Sequence, residues 1–89
     1  ALKVNNEIEL CEISDHECKQ VVERELLKSR ISYFIRFPKT GLFGRRTDTC
    51  IICINDNVRE AAEDIVHRIC EEYGYEVKFI LKHSRNEFL

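Results

Sequence analysis

The sequence predicts an α+β fold: a ferredoxin-like βαββαβ two-layer sandwich, with two helices covering one face of a four-stranded antiparallel sheet. Two observations predict it. Four short segments have strand-like apolar patterns, and two longer segments repeat apolar residues every three or four positions. These signals follow one another as two β-α-β units, which right-handed crossovers interleave into one sheet. The 89 residues suit a single domain at 1–89, with its core at about 7–82 and a flexible tail at 83–89.

The first strand and the first helix follow each other directly. Residues 8–13 alternate apolar side chains with glutamates but slip by one position, which indicates a β-bulge. Ser14 and Glu17 have the spacing of a capping box, which predicts that the helix begins there. The helix should end near Ser29, after an apolar stripe at helical spacing that comprises Cys18, Val21, Val22 and Leu26.

The second and third strands differ in their patterns. Residues 31–37 are rich in aromatic and β-branched side chains, and Pro38 then ends the strand because it lacks a backbone donor. Residues 49–54 are apolar at both odd and even positions, so both faces of this strand should be buried. The third strand is therefore predicted to be central.

The second helix has the most regular pattern in the chain. Between Val58 and Tyr73 the apolar residues fill every position of one helical stripe, and Asp56 or Asn57 can cap the start. Gly74 follows, as expected where a helix ends in the left-handed conformation. Residues 75–82 then alternate apolar and polar side chains, which predicts an edge strand with one wet face.

A ferredoxin-like order makes the first and third strands central and leaves one face of the sheet bare. If odd positions of the edge strands face the helices, Phe34 and Ile80 point outward, and the third strand adds one apolar set, to which we assign Ile52. Such an apolar stripe predicts a homodimer through the sheet. The alternative is a scatter of exposed apolar residues, as many monomers have.

Composition predicts a cytoplasmic protein with reduced thiols. No apolar run approaches the roughly 18 residues that span a bilayer, and residues 1–6 lack the pattern of a signal peptide. The five cysteines lie in predicted strands and helices rather than in loops, where they behave as small hydrophobic residues. We expect no membrane partner.

The loop between the second and third strands is the candidate binding site. Residues 36–46 hold four basic residues and no acid, although the whole chain has a net charge of −2. Glycine backbone and forked guanidinium groups suit an anionic ligand, but the Walker lysine and spacing are missing. The alternative is a solvated hairpin tip. The candidate ligand-binding residues are Arg36, Lys39, Gly41, Gly44, Arg45 and Arg46.

The cysteines and histidines do not predict a metal site or a catalytic site. Cys50 and Cys53 have a C-x-x-C spacing, but side chains three apart in a strand point to opposite faces. His67 lies off the helical stripe that contains Cys70, so the four groups should not converge. We predict no metal, no cofactor and no catalytic residue, and therefore a protein that is not an enzyme.

Three segments of the chain resemble a known family. They are ELLKSRI at 25–31, CIICI at 50–54 and AAEDI at 61–65. Together they are similar to the small prokaryotic signal-transducing domains, which are related to nitrogen-regulatory PII proteins and ACT modules. The resemblance covers about residues 7–70 and implies a ferredoxin-like fold, oligomerisation, small effectors and a long loop between the second and third strands. The loop here has no PII signature, and the family supplies no catalytic residues.

The leading functional hypothesis is a non-enzymatic regulatory domain that binds a small anionic effector or a partner protein through the basic loop. A second hypothesis is a protein–protein interaction module that uses the open sheet face. A third is RNA binding through the loop. RNA is the least favoured partner because an RNA-recognition sheet needs aromatic residues on its third strand, and residues 49–54 contain none.

Overall fold

A computed structural model of the chain describes residues 6–37 and 49–83. The described residues form four strands, two α-helices and one short 3-10 turn. None of the described helices is long and apolar enough to cross a membrane. The elements are β1 (Glu7–Ile13), α1 (His16–Lys28), β2 (Tyr33–Arg36), β3 (Cys50–Asn55), the 3-10 turn (Asp56–Val58), α2 (Arg59–Tyr73) and β4 (Lys78–His83).

The four strands form one antiparallel sheet in the order β2-β3-β1-β4. The predicted α+β class, the antiparallel sheet and the central position of β1 and β3 are therefore confirmed. The predicted bulge is present as well, because the register of β1 shifts between Glu9 and Cys11 against both of its neighbours. Against β3 the extra residue is Leu10, whereas against β4 the extra residue lies on β4, where Ile80 and Leu81 face Leu10.

Both helices contribute to a single hydrophobic core. They pack against each other and against β1, and their buried residues meet one set of strand side chains. We call the side of the sheet that carries this set the helix face. The core includes Cys18, Val21, Val22 and Leu26 of α1, Ala62, Ile65, Val66 and Ile69 of α2, and Ile8, Cys11, Ile13, Cys50, Ile52 and Ile54 of the sheet.

The starts of both helices differ from the prediction. Helix α1 is capped by Asp15, whose carboxylate accepts from the backbone N–H groups of Glu17 at 2.9 Å and Cys18 at 3.3 Å. The predicted cap, Ser14, has its hydroxyl 3.1 Å from the hydroxyl of Thr49 instead. Aspartate and serine cap equally well, so propensity could not choose between neighbouring residues.

The second helix is preceded by the 3-10 turn, and Asn55 caps that turn. The side-chain oxygen of Asn55 accepts from the backbone N–H of Asn57 at 3.0 Å. The prediction that Asp56 or Asn57 caps the helix is therefore wrong. The predicted end is confirmed, because Gly74 has a left-handed φ of 76°.

The edge strands begin later than predicted. Ile31 lies in the turn that follows α1, because its N–H donates to the Leu26 carbonyl at 2.9 Å. Strand β2 therefore begins only at Tyr33. Strand β4 begins at Lys78 and includes His83, which is a correction to the predicted tail at 83–89. Its ladder with β1 starts at the pair of Lys78 with Glu12, near the end of β1, so residues 75–77 have little of β1 left to pair with.

Arg30 is held in a conformation that favours glycine. Its φ is 61°, and its N–H donates to the Leu27 carbonyl at 2.9 Å in the hydrogen-bonded turn that ends α1. A side chain in this region costs about 1 kcal/mol. We expect Arg30→Gly to raise the free energy of unfolding by about that amount, measured as a higher urea midpoint at constant slope.

Arg24→Gly is the matched control, because Arg24 is exposed in the interior of α1. There the same substitution should lower the free energy of unfolding by about 1 kcal/mol. A lower midpoint for Arg30→Gly would contradict the strain argument.

Candidate functional site

The candidate site is the side of the sheet opposite the helix face, which we call the open face. Residues directly opposite each other in neighbouring strands share a face, and successive residues alternate. Cys11, Ile35 and Ile52 lie in the core, so the residues that alternate with them point to the open face; the exception is Leu10 at the bulge, which is also buried in the core. The open face comprises Glu7, Glu9, Glu12, Phe34, Arg36, Ile51, Cys53, Lys78, Ile80 and Lys82.

The open face is apolar on one side and charged on the other. Phe34 lies opposite Cys53, next to the half-buried Ile51, and 48% of its surface is exposed. On β1 and β4, glutamates lie opposite lysines: Glu9 opposite Lys82, and Glu12 opposite Lys78. We call Phe34, Ile51 and Cys53 the apolar half of the open face.

An arginine side chain crosses the middle of this surface. Arg36 on β2 donates to the Glu9 carboxylate at 2.7 Å and to the Glu7 carboxylate at 3.3 Å, although β3 lies between β2 and β1. The guanidinium group therefore lies over β3. Cys53 of β3, which lies opposite Phe34 on one side and Glu9 on the other, is completely buried although it is not part of the core beneath the helices.

The Cys53 thiol is chemically quiet. Burial raises its pKa to about 11; the charge of Arg36 opposes this rise, and those of Glu7 and Glu9 add to it. A thiol with this pKa stays protonated at neutral pH, whereas nucleophiles and metal ligands need the thiolate. The open face thus presents a contact surface rather than a reactive group at this position.

A shallow pocket of about 290 Å³ opens where β2 begins. Ser32, Phe34, Cys53, Asn55 and Glu7 contribute to its lining. This volume is at the lower end of the range for small-molecule sites, about 300–1,000 Å³. The pocket has room for one large side chain or a very small ligand.

A second, wider groove of about 750 Å³ lies beside the end of α1 and along α2. Its lining includes Arg30 and Arg68, and also Asp64 and Glu71. Because both signs of charge occur around it, its electrostatics do not select an anion or a cation.

The predicted site residues have different outcomes. Arg36 lies on the open face and is bound to two glutamates, and Phe34 and Ile80 also lie on the open face. The rest of the predicted ligand-binding set falls outside the described residues, so that part of the prediction stays a prediction. These residues are Lys39, Gly41, Gly44, Arg45 and Arg46.

The assignment of Ile52 to the exposed stripe is wrong. Ile52 is completely buried on the helix face, opposite Cys11 and Ile35. The side chains of β3 that point to the open face are those of Ile51 and Cys53. The alternating side chains of β3 are apolar on both faces, so the sequence of this strand does not show which face the helices cover.

Cys50 and Cys53 point to opposite faces of the sheet, as the strand geometry predicted. Elsewhere, the His67 ring stacks on Phe79 with 4.4 Å between centroids. Within residues 6–37 and 49–83, no three or more His, Cys, Asp and Glu side chains are arranged to hold a metal ion.

Comparison with known proteins adds no relative: no family model, curated protein or solved structure matches the chain. The bridge from Arg36 to Glu7 and Glu9 was not predicted from the sequence. The sequence does contain a signal for this bridge. Arg36 lies two positions after Phe34, so both side chains should point to the same face of the sheet, and the glutamates occupy the polar positions of the first strand.

The buried thiol makes stability depend on alkaline pH. The pKa of Cys53 is about 11 in the folded chain and near 9 when the chain unfolds. Its contribution is fully present below pH 9 and is lost as the pH rises to 11. Between these values the unfolded chain releases a proton that the folded chain keeps, so the free energy of unfolding falls by about 1.4 kcal/mol per pH unit.

We expect Cys53→Ala to show a shallower decline by about that slope, measured by urea unfolding at several pH values between 8 and 10.5. The quantity to compare is the slope of the free energy of unfolding against pH. The packing lost with the smaller side chain lowers that free energy at every pH and by itself leaves the slope unchanged. Parallel curves for the two proteins would contradict the assignment.

Proposed function

We propose that this chain is a non-enzymatic association module that binds a second copy of itself through the apolar half of its open face. The observation that carries the proposal is the 48% exposure of Phe34 on a sheet surface that no described helix covers. Full burial of an exposed phenylalanine side chain contributes about 1.5–3 kcal/mol, and about half of that remains available for Phe34, which is 48% exposed. In a domain of this size, an interface also adds apolar burial that the single chain cannot supply.

The charges of the open face favour a second copy over a strongly acidic or basic partner. The open face carries equal numbers of acidic and basic residues, so its net charge is zero. A two-fold interface places the same patch on both sides and therefore needs a surface that does not repel itself. The acidic residues are Glu7, Glu9 and Glu12, and the basic ones are Arg36, Lys78 and Lys82.

The test is the oligomeric state over a dilution series, measured by light scattering after size exclusion or by sedimentation velocity. We expect the wild-type chain to be a dimer that dissociates on dilution and Phe34→Ser to remain a monomer. Leu27→Ser is the matched control, because Leu27 is 60% exposed on α1, on the other side of the molecule. A wild-type monomer at every concentration, or equal weakening by both variants, would refute the proposal.

We also propose that the fold is ferredoxin-like, with both helices on one side of the sheet. The element order and the strand order β2-β3-β1-β4 support this assignment. We propose likewise that the chain is related to the small signal-transducing domains that it resembles. Such a relationship would connect self-association of the chain to a regulatory role.

A second candidate function, effector binding, is favoured by the charge of the segment at 36–46, which has four basic residues and no acid. Because Arg36 is bound to two glutamates, contact with an effector falls to Lys39, Arg45 and Arg46. The ligand class is a small anion that forked guanidinium groups can bind.

We expect nucleotides or acidic metabolites to raise the melting temperature of the wild-type chain but not that of the double variant Arg45→Ala, Arg46→Ala. The double variant Arg59→Ala, Arg68→Ala removes the same charge from exposed positions of α2 and should keep the shift. A shift that survives loss of Arg45 and Arg46 would exclude the loop as the effector site.

A further inference from the structure

The two edges of the sheet are different in character. The β4 edge carries Lys78 and Lys82, and its ladder with β1 is irregular where Leu81 adopts a φ of 52°. Edge lysines and irregular backbone are the features with which proteins prevent an edge strand from pairing with another chain. Strand β4 is therefore protected.

The β2 edge is short, with four residues, but it carries no lysine and its ladder is regular. It pairs with β3 in unbroken register from Tyr33 to Arg36, and its first three residues are Tyr33, Phe34 and Ile35. The next residue, Phe37, is 66% exposed. Within the described part of the chain, β3 is the only strand that pairs with β2. Its other side presents backbone N–H and C=O groups to an incoming strand.

We propose that two copies of the chain join through β2, antiparallel about a two-fold axis, so that their two sheets become one continuous sheet. The inference rests on the self-association proposed above and places the contact at the β2 edge of the apolar half, so that the open faces of the two copies continue across the seam. Backbone hydrogen bonds between the two β2 strands supply the pairing, and each Phe34 packs against the facing strand.

Electrostatics select this edge and this partner. The one charged side chain of β2, Arg36, is already paired with two glutamates of its own copy, so two β2 strands meet without repulsion. Two β4 strands would instead bring Lys78 and Lys82 of both copies together on one face, and like charges that face each other destabilise strand pairing.

A two-fold axis perpendicular to the sheet makes the two β2 strands antiparallel, with the same residues of both copies on the two sides of the seam. Within each copy the Arg36 guanidinium group lies 3.3 Å from the Glu7 carboxylate, so these two charges are already paired when the strands meet.

The test is amide hydrogen exchange resolved by residue, on the wild-type chain above and below its dimer dissociation range. Alternate amides of residues 33–37 point away from β3, and we expect their exchange to slow by about tenfold or more in the dimer. The outer amides of β4 should exchange equally fast at both concentrations. Phe34→Ser gives the rates of the monomer.

Each outcome decides between the proposals. A dimer whose outer β2 amides exchange as fast as in the monomer, or whose protection appears on β4, would overturn the β2 seam and leave self-association standing. Protection of β2 that does not depend on concentration would mean that the chain covers its own edge, which also overturns the seam. Absence of any dimer would remove self-association itself.

Discussion

The pairing of β1 with both of its neighbours is the constraint on which the rest of the structure depends. Ile8 and Ile13 are an odd number of residues apart, so strict alternation would place one of them outside the core. The extra residue Leu10 corrects the phase, and both isoleucines are buried. The same correction gathers all three glutamates of β1 on the open face. A central strand with one dry face and one acidic face results.

The acidic face of β1 in turn organises the surface that we propose for binding. Arg36 reaches across β3 to two of these glutamates and thereby covers the middle of the sheet. Cys53 on the same face is completely buried, and the large apolar residue most exposed there is Phe34. A single exposed aromatic in a surface of balanced charge is suited to reversible association, because little apolar area is exposed when the partner leaves.

Sequence reasoning succeeded where a pattern repeats and failed where one residue decides. The regular stripe of α2 and the slip in β1 were both identified, because periodicity averages over many side chains. The helix caps were misplaced by one or two residues, since Ser14, Asp15, Asn55 and Asp56 are all competent and only backbone geometry selects among them. The left-handed Arg30 had no signal at all, because the preferred residue there is glycine.

The sequence by itself determined the element order and the outward direction of Phe34, because both follow from the spacing of apolar residues along single segments. It determined the antiparallel sheet through the element order, since two β-α-β units with right-handed crossovers interleave in that way. Only the tertiary structure decided that Ile52 faces the helices while Ile51 and Cys53 do not, and that Arg36 belongs to the open face as a bridge between strands. These facts depend on the register between segments distant in the chain. When a strand is apolar on both faces, its own residues do not predict that register.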